Sequence, residues 1–104
     1  MVLHVMKWDV RPEKMEDYHD WAMKAIPRVM AGPGLVEFRA YRPVTGNSQV
    51  VVTYEFGDLA TWAAFYADEE IQEVMDELRT VAHNVSAELW GPSPVVPKPM
   101  RPGE

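Results

Sequence analysis

Three histidines are the side chains of this chain best suited to proton transfer near neutral pH, and they lie far apart in sequence at His4, His19 and His83. No two of them have the spacing of a metal-binding pair such as His-x-x-x-His, so the sequence predicts no histidine metal site. His4 is the candidate catalytic base, because it shares one face of a predicted strand with Met6 and Trp8. A hydrogen-bonded structural role is the alternative for each histidine.

Carboxylates form a second group of candidate residues. Six of them fall within ten residues: Asp68, Glu69, Glu70, Glu73, Asp76 and Glu77. On a helix these positions do not converge on one point, as metal ligands must, so they predict a solvated helix face. The chain has no cysteine, which excludes disulfides and thiolate ligands. The sequence therefore predicts neither a bound metal nor a cofactor.

Large aromatic side chains recur on most of the predicted elements. The candidate ligand-binding residues are Trp8, Tyr18, Trp21, Tyr54, Trp62 and Phe65. Trp62 and Tyr66 are four residues apart and share a helix face, and the Tyr66 hydroxyl is a second candidate catalytic group beside His4. A cavity lined by rings with a few hydroxyl and indole donors suits a small aromatic or hydrophobic ligand. The alternative is that the rings only fill the core, as we expect for Phe38.

The elements that must position these side chains follow a β-α-β-β-α-β order. A strand at Val2–Val10 precedes a helix at Glu13–Met30, a hairpin of strands at Leu35–Arg42 and Gln49–Phe56, a broken helical stretch at Asp58–Ala82 and a strand at Val85–Trp90. This order specifies a ferredoxin-like sandwich, an α+β fold whose four-stranded antiparallel sheet carries helices on one face. Alternation along the second strand places Val36, Phe38 and Ala40 on the helix side.

Prolines mark two further features. Pro27 lies inside the pattern of the first helix, which predicts a kink or a short break near Ala25–Pro27. Residues 1–91 are predicted to form one domain, and residues 92–104 a Pro-rich extended tail. This tail is either a disordered end or packs along a partner subunit through Val95, Val96 and Met100.

Composition limits the classes of partner. The 104 residues suffice for one domain, and the net charge of −6 with no basic run argues against binding to nucleic acid or an anionic membrane. No segment has the length and apolarity of a membrane helix, and the N-terminus lacks the pattern of a secretion signal. We therefore expect a cytoplasmic protein.

The sheet face turned away from the helices is too aromatic for plain solvent and too charged for an ordinary core. Its members include Glu37, Arg39, Tyr41, Thr53, Glu55, Glu88 and Trp90. A solvated face is one interpretation. We favour the other, in which two such faces pack together in a homodimer, because the aromatic residues supply apolar area and pairing protects the sheet edges.

The chain resembles the dimeric α+β barrel superfamily, in particular its antibiotic biosynthesis monooxygenase-like group. The resemblance rests on element order and length, on the segment TYEFGDLATWAAFYADEEIQEVMDEL (residues 53–78), and on Pro33 and Gly34 before the second strand. It implies a homodimer in which two sheets close a barrel, with a pocket between sheet and helices in each subunit. It also implies oxidation of aromatic polyketides or quinol-like compounds without metal or flavin.

The chain departs from that group at three positions. Phe65 stands where many members have a histidine, and Met75 and Phe56 stand where haem-degrading members have a ligand histidine and a tryptophan. Haem chemistry is therefore disfavoured. The sequence predicts a small homodimeric barrel that binds an aromatic or hydrophobic molecule and acts as a cofactor-independent monooxygenase of phenols or quinols. The alternative is a non-catalytic ligand-binding or structural oligomerisation module.

Overall fold

A computed structural model describes all residues, Met1–Glu104. Its elements are β1 (Val2–Val10), a short 3-10 helix (Pro12–Lys14), α1 (Met15–Met30), β2 (Glu37–Tyr41), β3 (Val50–Phe56), α2 (Leu59–Ala67), α3 (Glu69–Val81) and β4 (Ala82–Trp90). The four strands form one antiparallel sheet in the order β2-β3-β1-β4. The predicted ferredoxin-like fold is confirmed.

Alternation along the strands separates the two faces of the sheet as predicted. Val52, Tyr54 and Phe56 of β3 are at most 4% exposed beneath the helices. Since paired residues of neighbouring strands share a face, the pairing of Val5 with Thr53 and Glu88 places all three on the opposite, helix-free face.

Helix α1 runs through Pro27 without interruption, so the predicted break does not occur. Pro27 lies in the last turn, where the Ala31 N–H still donates to its carbonyl at 3.1 Å. Because proline has no N–H, the carbonyl of Met23 is the one that loses its helical hydrogen bond. Met23 lies on the exposed side of α1, where water can take the place of that donor. The helix therefore ends at Met30 and not before Pro27.

The helical stretch after β3 divides at an aspartate. Asp58 caps α2 by accepting from the Thr61 N–H at 2.8 Å, and Asp68 caps α3 by accepting from the Ile71 N–H at 3.2 Å. The turn between α1 and β2 lies against α2: a Cβ on Gly32 would come within 2.2 Å of the Phe65 ring. Only glycine allows this close approach.

The bounds of three strands differ from the prediction, β3 only in that it begins at Val50. β4 begins at Ala82, because Ala82 and His83 pair with the end of β1 across an irregularity in register. Asn84 adopts a left-handed conformation there (φ 52°) and donates to Asp9 at 3.0 Å. β2 is shorter than predicted, and Val36, expected on the helix side, is 62% exposed.

The segment after β4 has no helix or strand, and its Val95 and Met100 side chains are exposed. None of the helices is both long and apolar enough to cross a membrane.

Candidate functional site

An apolar cavity of about 100 Å³ lies between α1, α3 and the sheet. It is lined by Trp8, Tyr18, Trp21, Ala22, Ala25, Ile26, Val29, Phe38, Ala40, Val50, Val52, Tyr54, Val74, Met75 and Leu78. Ile26 of α1 and Ala40 of β2 are also exposed to solvent, so the mouth of the cavity lies between this helix and the edge strand. The site is an almost wholly hydrophobic pocket that is open at one end.

Small residues create this empty volume. Ala22 and Ala25 are the smallest residues that α1 contributes to the lining, and Ala40 belongs to the lining from β2. A side chain that ends at Cβ leaves space that a leucine or phenylalanine would fill. The large rings around these alanines, among them Trp8 and Trp21, therefore form the walls of an empty space.

A few polar atoms border the cavity. The Trp8 indole N–H donates to the Tyr18 hydroxyl at 3.3 Å, which leaves the Tyr18 proton free to be donated. Burial raises the pKa of Tyr18. Burial, and then the nearby hydroxyls of Tyr66 and Tyr18, raise the pKa of Tyr54 further. Both tyrosines are therefore neutral hydrogen-bond donors at physiological pH.

Trp21 links α1 to α3 at the side of the cavity. Its indole N–H donates to Glu77 Oε1 at 2.9 Å, and Arg28 holds the same carboxylate through two hydrogen bonds of 2.8 and 3.1 Å. Arg28 also contacts Glu70 at 2.5 Å. The hydrogen bonds from Arg28 lower the pKa of Glu77, and the bond from Trp21 adds to this effect. The Trp21 ring is thereby fixed by a charged group on the neighbouring helix.

A second group of rings, which we call the His4 cluster, is His4, Trp62, Phe65 and Tyr66. His4 is 5% exposed, and its Nδ1 accepts from the Trp62 indole N–H at 3.1 Å. The proton of the neutral imidazole is then on Nε2, which is buried without a hydrogen-bond partner. Burial lowers the pKa of His4, so the ring is neutral at physiological pH.

The sequence-predicted site residues thus divide into two neighbouring groups. Trp8, Tyr18, Trp21 and Tyr54 border the cavity, whereas all four members of the His4 cluster lie outside its lining. Tyr54 joins the two groups: its ring centroid lies 5.5 Å from that of His4.

Sequence reasoning missed the residues that make the cavity and fix its wall. Ala40 was predicted on the helix side of its strand, but neither it nor Ala22 and Ala25 was identified as the source of a void. Small residues facing several large rings were the available signal. The pairing of Glu77 with Trp21 joins residues 56 positions apart and had no local signal.

The open sheet face forms a shallow hollow of about 440 Å³. It is lined by Leu3, Val5, Glu37, Arg39, Tyr41, Val51, Thr53, Glu55 and Trp90. Glu37 lies directly opposite Glu55 in the β2–β3 pair, and Arg39 contacts Glu37 at 2.5 Å. This face carries both charges and uncovered apolar area, with Trp90 47% exposed.

Comparison with known proteins identifies the family. The sequence model described as antibiotic biosynthesis monooxygenase matches residues 1–77, which is most of the chain. The chain therefore belongs to the antibiotic biosynthesis monooxygenase family, as the resemblance predicted. No curated protein sequence matches it.

Solved structures with the same fold include several bacterial proteins. A DABB family protein from Mesorhizobium loti, with a ferredoxin-like fold, is 14% identical with a TM-score of 0.78, covering 88% of this chain and 96% of its own. A mutant of SnoaB, a cofactor-independent oxygenase from Streptomyces nogalater, is 14% identical with a TM-score of 0.73, covering 93% and 97%. A dimeric ferredoxin-like protein of unknown function from Thermobifida fusca is 12% identical with a TM-score of 0.71, covering 86% and 88%. Identities this low establish the common fold alone.

Proposed function

We propose that this protein is a cofactor-independent monooxygenase that binds a phenol or quinol in the apolar cavity. The observation that carries the proposal is a hydrophobic cavity bordered by two tyrosines, the half-buried Tyr18 and the buried Tyr54. A flat apolar ring fits among the Trp8, Trp21 and Phe38 side chains, and its hydroxyl can reach a polar atom. The family and the fold shared with an oxygenase support this activity.

The reaction uses the substrate as its own source of electrons. The phenol loses its proton to water at the cavity mouth, and the phenolate transfers one electron to dioxygen. The phenoxyl radical and superoxide then join at a ring carbon that carries hydrogen, which gives a peroxide. Protonation of the peroxide, loss of that C–H proton and cleavage of the O–O bond yield a quinone carbonyl and water. One oxygen atom enters the product, and the other leaves as water.

The protein contributes hydrogen bonds to the anion and a site that excludes bulk water. Tyr18 and Tyr54 keep their protons, because burial raises the pKa of each. They can therefore donate to the phenolate oxygen and stabilise its charge, and such donors act strongly in an apolar environment. The hydrogen bond that Tyr18 accepts from Trp8 makes its hydroxyl a better donor.

The catalytic roles of His4 and Tyr66 remain predictions. Neither residue borders the cavity, and the Nδ1 lone pair of His4 is occupied by the hydrogen bond from Trp62. Any contribution from either residue therefore passes through Tyr54, which contacts the His4 ring and borders the cavity.

Oxygen consumption with a panel of phenols and quinols tests the proposal. We expect uptake by the wild type that falls about 100-fold in Tyr54→Phe, since the substitution removes one donor to the developing anion. Tyr18→Phe should also lower oxygen uptake. Tyr41→Phe is the matched control, because Tyr41 lies on the helix-free face of the sheet. Equal uptake by all four proteins would refute the assignment of the site.

Binding without catalysis is the second candidate function. The observation that favours it is that no imidazole or carboxylate lines the cavity, so the protein offers no base beside the bound hydroxyl. Saturable binding of phenols by calorimetry, together with no oxygen uptake across the panel, would establish this function instead.

We further propose that the protein is a homodimer whose subunits pack through the helix-free sheet face. Trp90 and Tyr41 supply exposed apolar area there, and the exposed Arg39 can contact Glu55 of the other copy in addition to Glu37 of its own chain. Sedimentation at micromolar concentration should give a dimer in the wild type and a monomer in Trp90→Glu. A wild-type monomer would refute the proposal. Met23→Glu on the outer surface of α1 is the control.

A further inference from the structure

We infer that the cavity accepts a single-ring phenol and excludes fused-ring compounds, and that Trp21, held by Glu77, is the residue that sets this limit. The inference rests on the proposed ligand site and names its substrate class. It depends on the size of the cavity and on the way one wall is fixed.

The volume of the cavity sets the first condition. At about 100 Å³ it is smaller than an apolar cavity of about 150 Å³ that is known to hold benzene. A single ring can be accommodated because the mouth between Ile26 and Ala40 adds space. A second fused ring needs a wall to move, since protein interiors do not compress by that amount.

Trp21 is the wall whose movement would add the most space. It is the largest side chain that α1 contributes to the lining, and it is only half-buried, so its outer edge faces solvent and not packed core. The opposite wall is different. Tyr54 and Val52 are at most 4% exposed and belong to the central part of the sheet, where movement would disturb strand pairing.

Glu77 prevents this movement. Its Oε1 accepts from the Trp21 indole N–H at 2.9 Å, and both of its oxygens are held by Arg28 at 2.8 and 3.1 Å. Rotation of the indole would break a hydrogen bond to a charged acceptor, which is stronger than a bond between neutral groups. Glu77 is therefore a positioning residue: it acts on the ligand only through the Trp21 ring.

Calorimetric binding of phenol and 1-naphthol to the wild type and four variants tests the inference. An additional ring favours binding to any apolar site, so the informative quantity is the ratio of the two affinities. We expect the wild type to bind phenol and to bind 1-naphthol no more tightly. Trp21→Ala should shift the ratio toward naphthol by about tenfold or more, and Trp21→Phe by less.

The other two variants separate positioning from general loosening of the helices. Glu77→Ala keeps the Trp21 ring but releases it, and should shift the ratio toward naphthol by about threefold. Glu73→Ala is the matched control: Glu73 lies on the same helix, also contacts Arg28, at 3.6 Å, and has no contact with Trp21 among its hydrogen bonds. It should leave the ratio unchanged.

Failure of the inference can be distinguished from failure of the proposed function. If the wild type binds naphthol more tightly than phenol, and the Trp21 and Glu77 variants leave that ratio unchanged, the size limit is refuted while the ligand site stands. If neither compound binds to the wild type or to any variant, the proposed site is refuted together with the limit. A shift in Glu73→Ala equal to that in Glu77→Ala would refute the positioning role of Glu77.

Discussion

Two groups of aromatic rings lie on the helix-covered side of the same sheet, and they are packed differently. In the His4 cluster the His4 ring lies 5.2 Å from the Tyr66 ring and 6.0 Å from the Trp62 ring, and the cluster lies outside the lining of the apolar cavity. Under α1, rings of similar size enclose about 100 Å³ of empty space. The chemical types of the residues are similar at the two ends, so the types do not explain the difference.

The difference arises from the small residues that face the rings. In the cavity, alanines at 22, 25 and 40 leave space between the helix and the sheet. In the other region, the Phe65 ring of α2 packs against Gly32, and its centroid lies 4.9 Å from that of Phe56. Aromatic content therefore indicates the side of the sheet on which a cavity can form. The small residues that face the rings decide where on that side it forms.

The largest expected effect comes from removing a ring from each region. Phe65→Ala should lower the free energy of unfolding by about 3–5 kcal/mol, because this fully buried ring leaves a new void. Phe38→Ala should cost less than half as much, since Phe38 is half-buried and already borders empty space. Urea denaturation of both variants measures the two values. Equal losses would show that the two regions are packed alike.

Filling the cavity should affect binding and leave stability nearly unchanged. Ala25→Leu adds apolar atoms where the structure has empty space, so we expect phenol affinity to fall at least about tenfold, or by roughly 1.4 kcal/mol. The free energy of unfolding should change by less than about 1 kcal/mol. Calorimetry and urea denaturation provide the two measurements, with Ala63→Leu on the exposed side of α2 as the control. Unchanged affinity in Ala25→Leu would place the ligand elsewhere.

A smaller effect is expected for the hydrogen bond within the His4 cluster. Trp62→Phe keeps a ring but removes the indole N–H that donates to His4 at 3.1 Å. The buried Nδ1 then lacks a donor, which should lower the free energy of unfolding by about 1–2 kcal/mol. Phenol affinity should stay within a factor of about two, because Trp62 does not border the cavity. A large loss of affinity would mean that the two regions act as one site.

The smallest effect is a dependence of stability on pH. Burial holds the pKa of His4 in the folded protein below its usual value of 6.5. Below pH 6.5 the unfolded chain therefore binds more protons than the folded protein, and stability falls as the pH decreases. For one proton the slope cannot exceed about 1.4 kcal/mol per pH unit.

Thermal denaturation between pH 5 and 8 measures this slope. The stability of His4→Phe should depend less on pH than that of the wild type in this range. The substitution also leaves the Trp62 N–H without its acceptor. An unchanged slope in His4→Phe would contradict the buried, neutral state of His4.

Much of the fold could be predicted because local patterns determine it. Alternation along Val50–Phe56 assigned the two faces of β3 correctly, and the helical stretch was predicted to start at Asp58, which is the N-cap of α2. The start of β4 was not predictable in this way. Ala82 was predicted to end the preceding helix, and Ala82 and His83 become part of a strand because Val10 and Asp9 pair with them.

The candidate site was predictable in composition but not in shape. Trp8, Tyr18, Trp21 and Tyr54 were identified from their type and their side of the sheet, and all four border the cavity. Whether Phe65 meets another ring or an empty space depends on Gly32, which lies far away in sequence and approaches it through the fold. The spacing of apolar residues along the sequence does not predict this contact between Gly32 and Phe65.

The alanines of the cavity wall have an evolutionary consequence. Each of these alanines buries at most one methyl group, so the fold depends on them less than on the large side chains around them. Substitutions at 22, 25 or 40 can therefore alter which molecules are accepted while the protein still folds. Relatives could diverge in substrate through a few such exchanges, so that two homologues with nearly superimposable backbones would act on unrelated compounds.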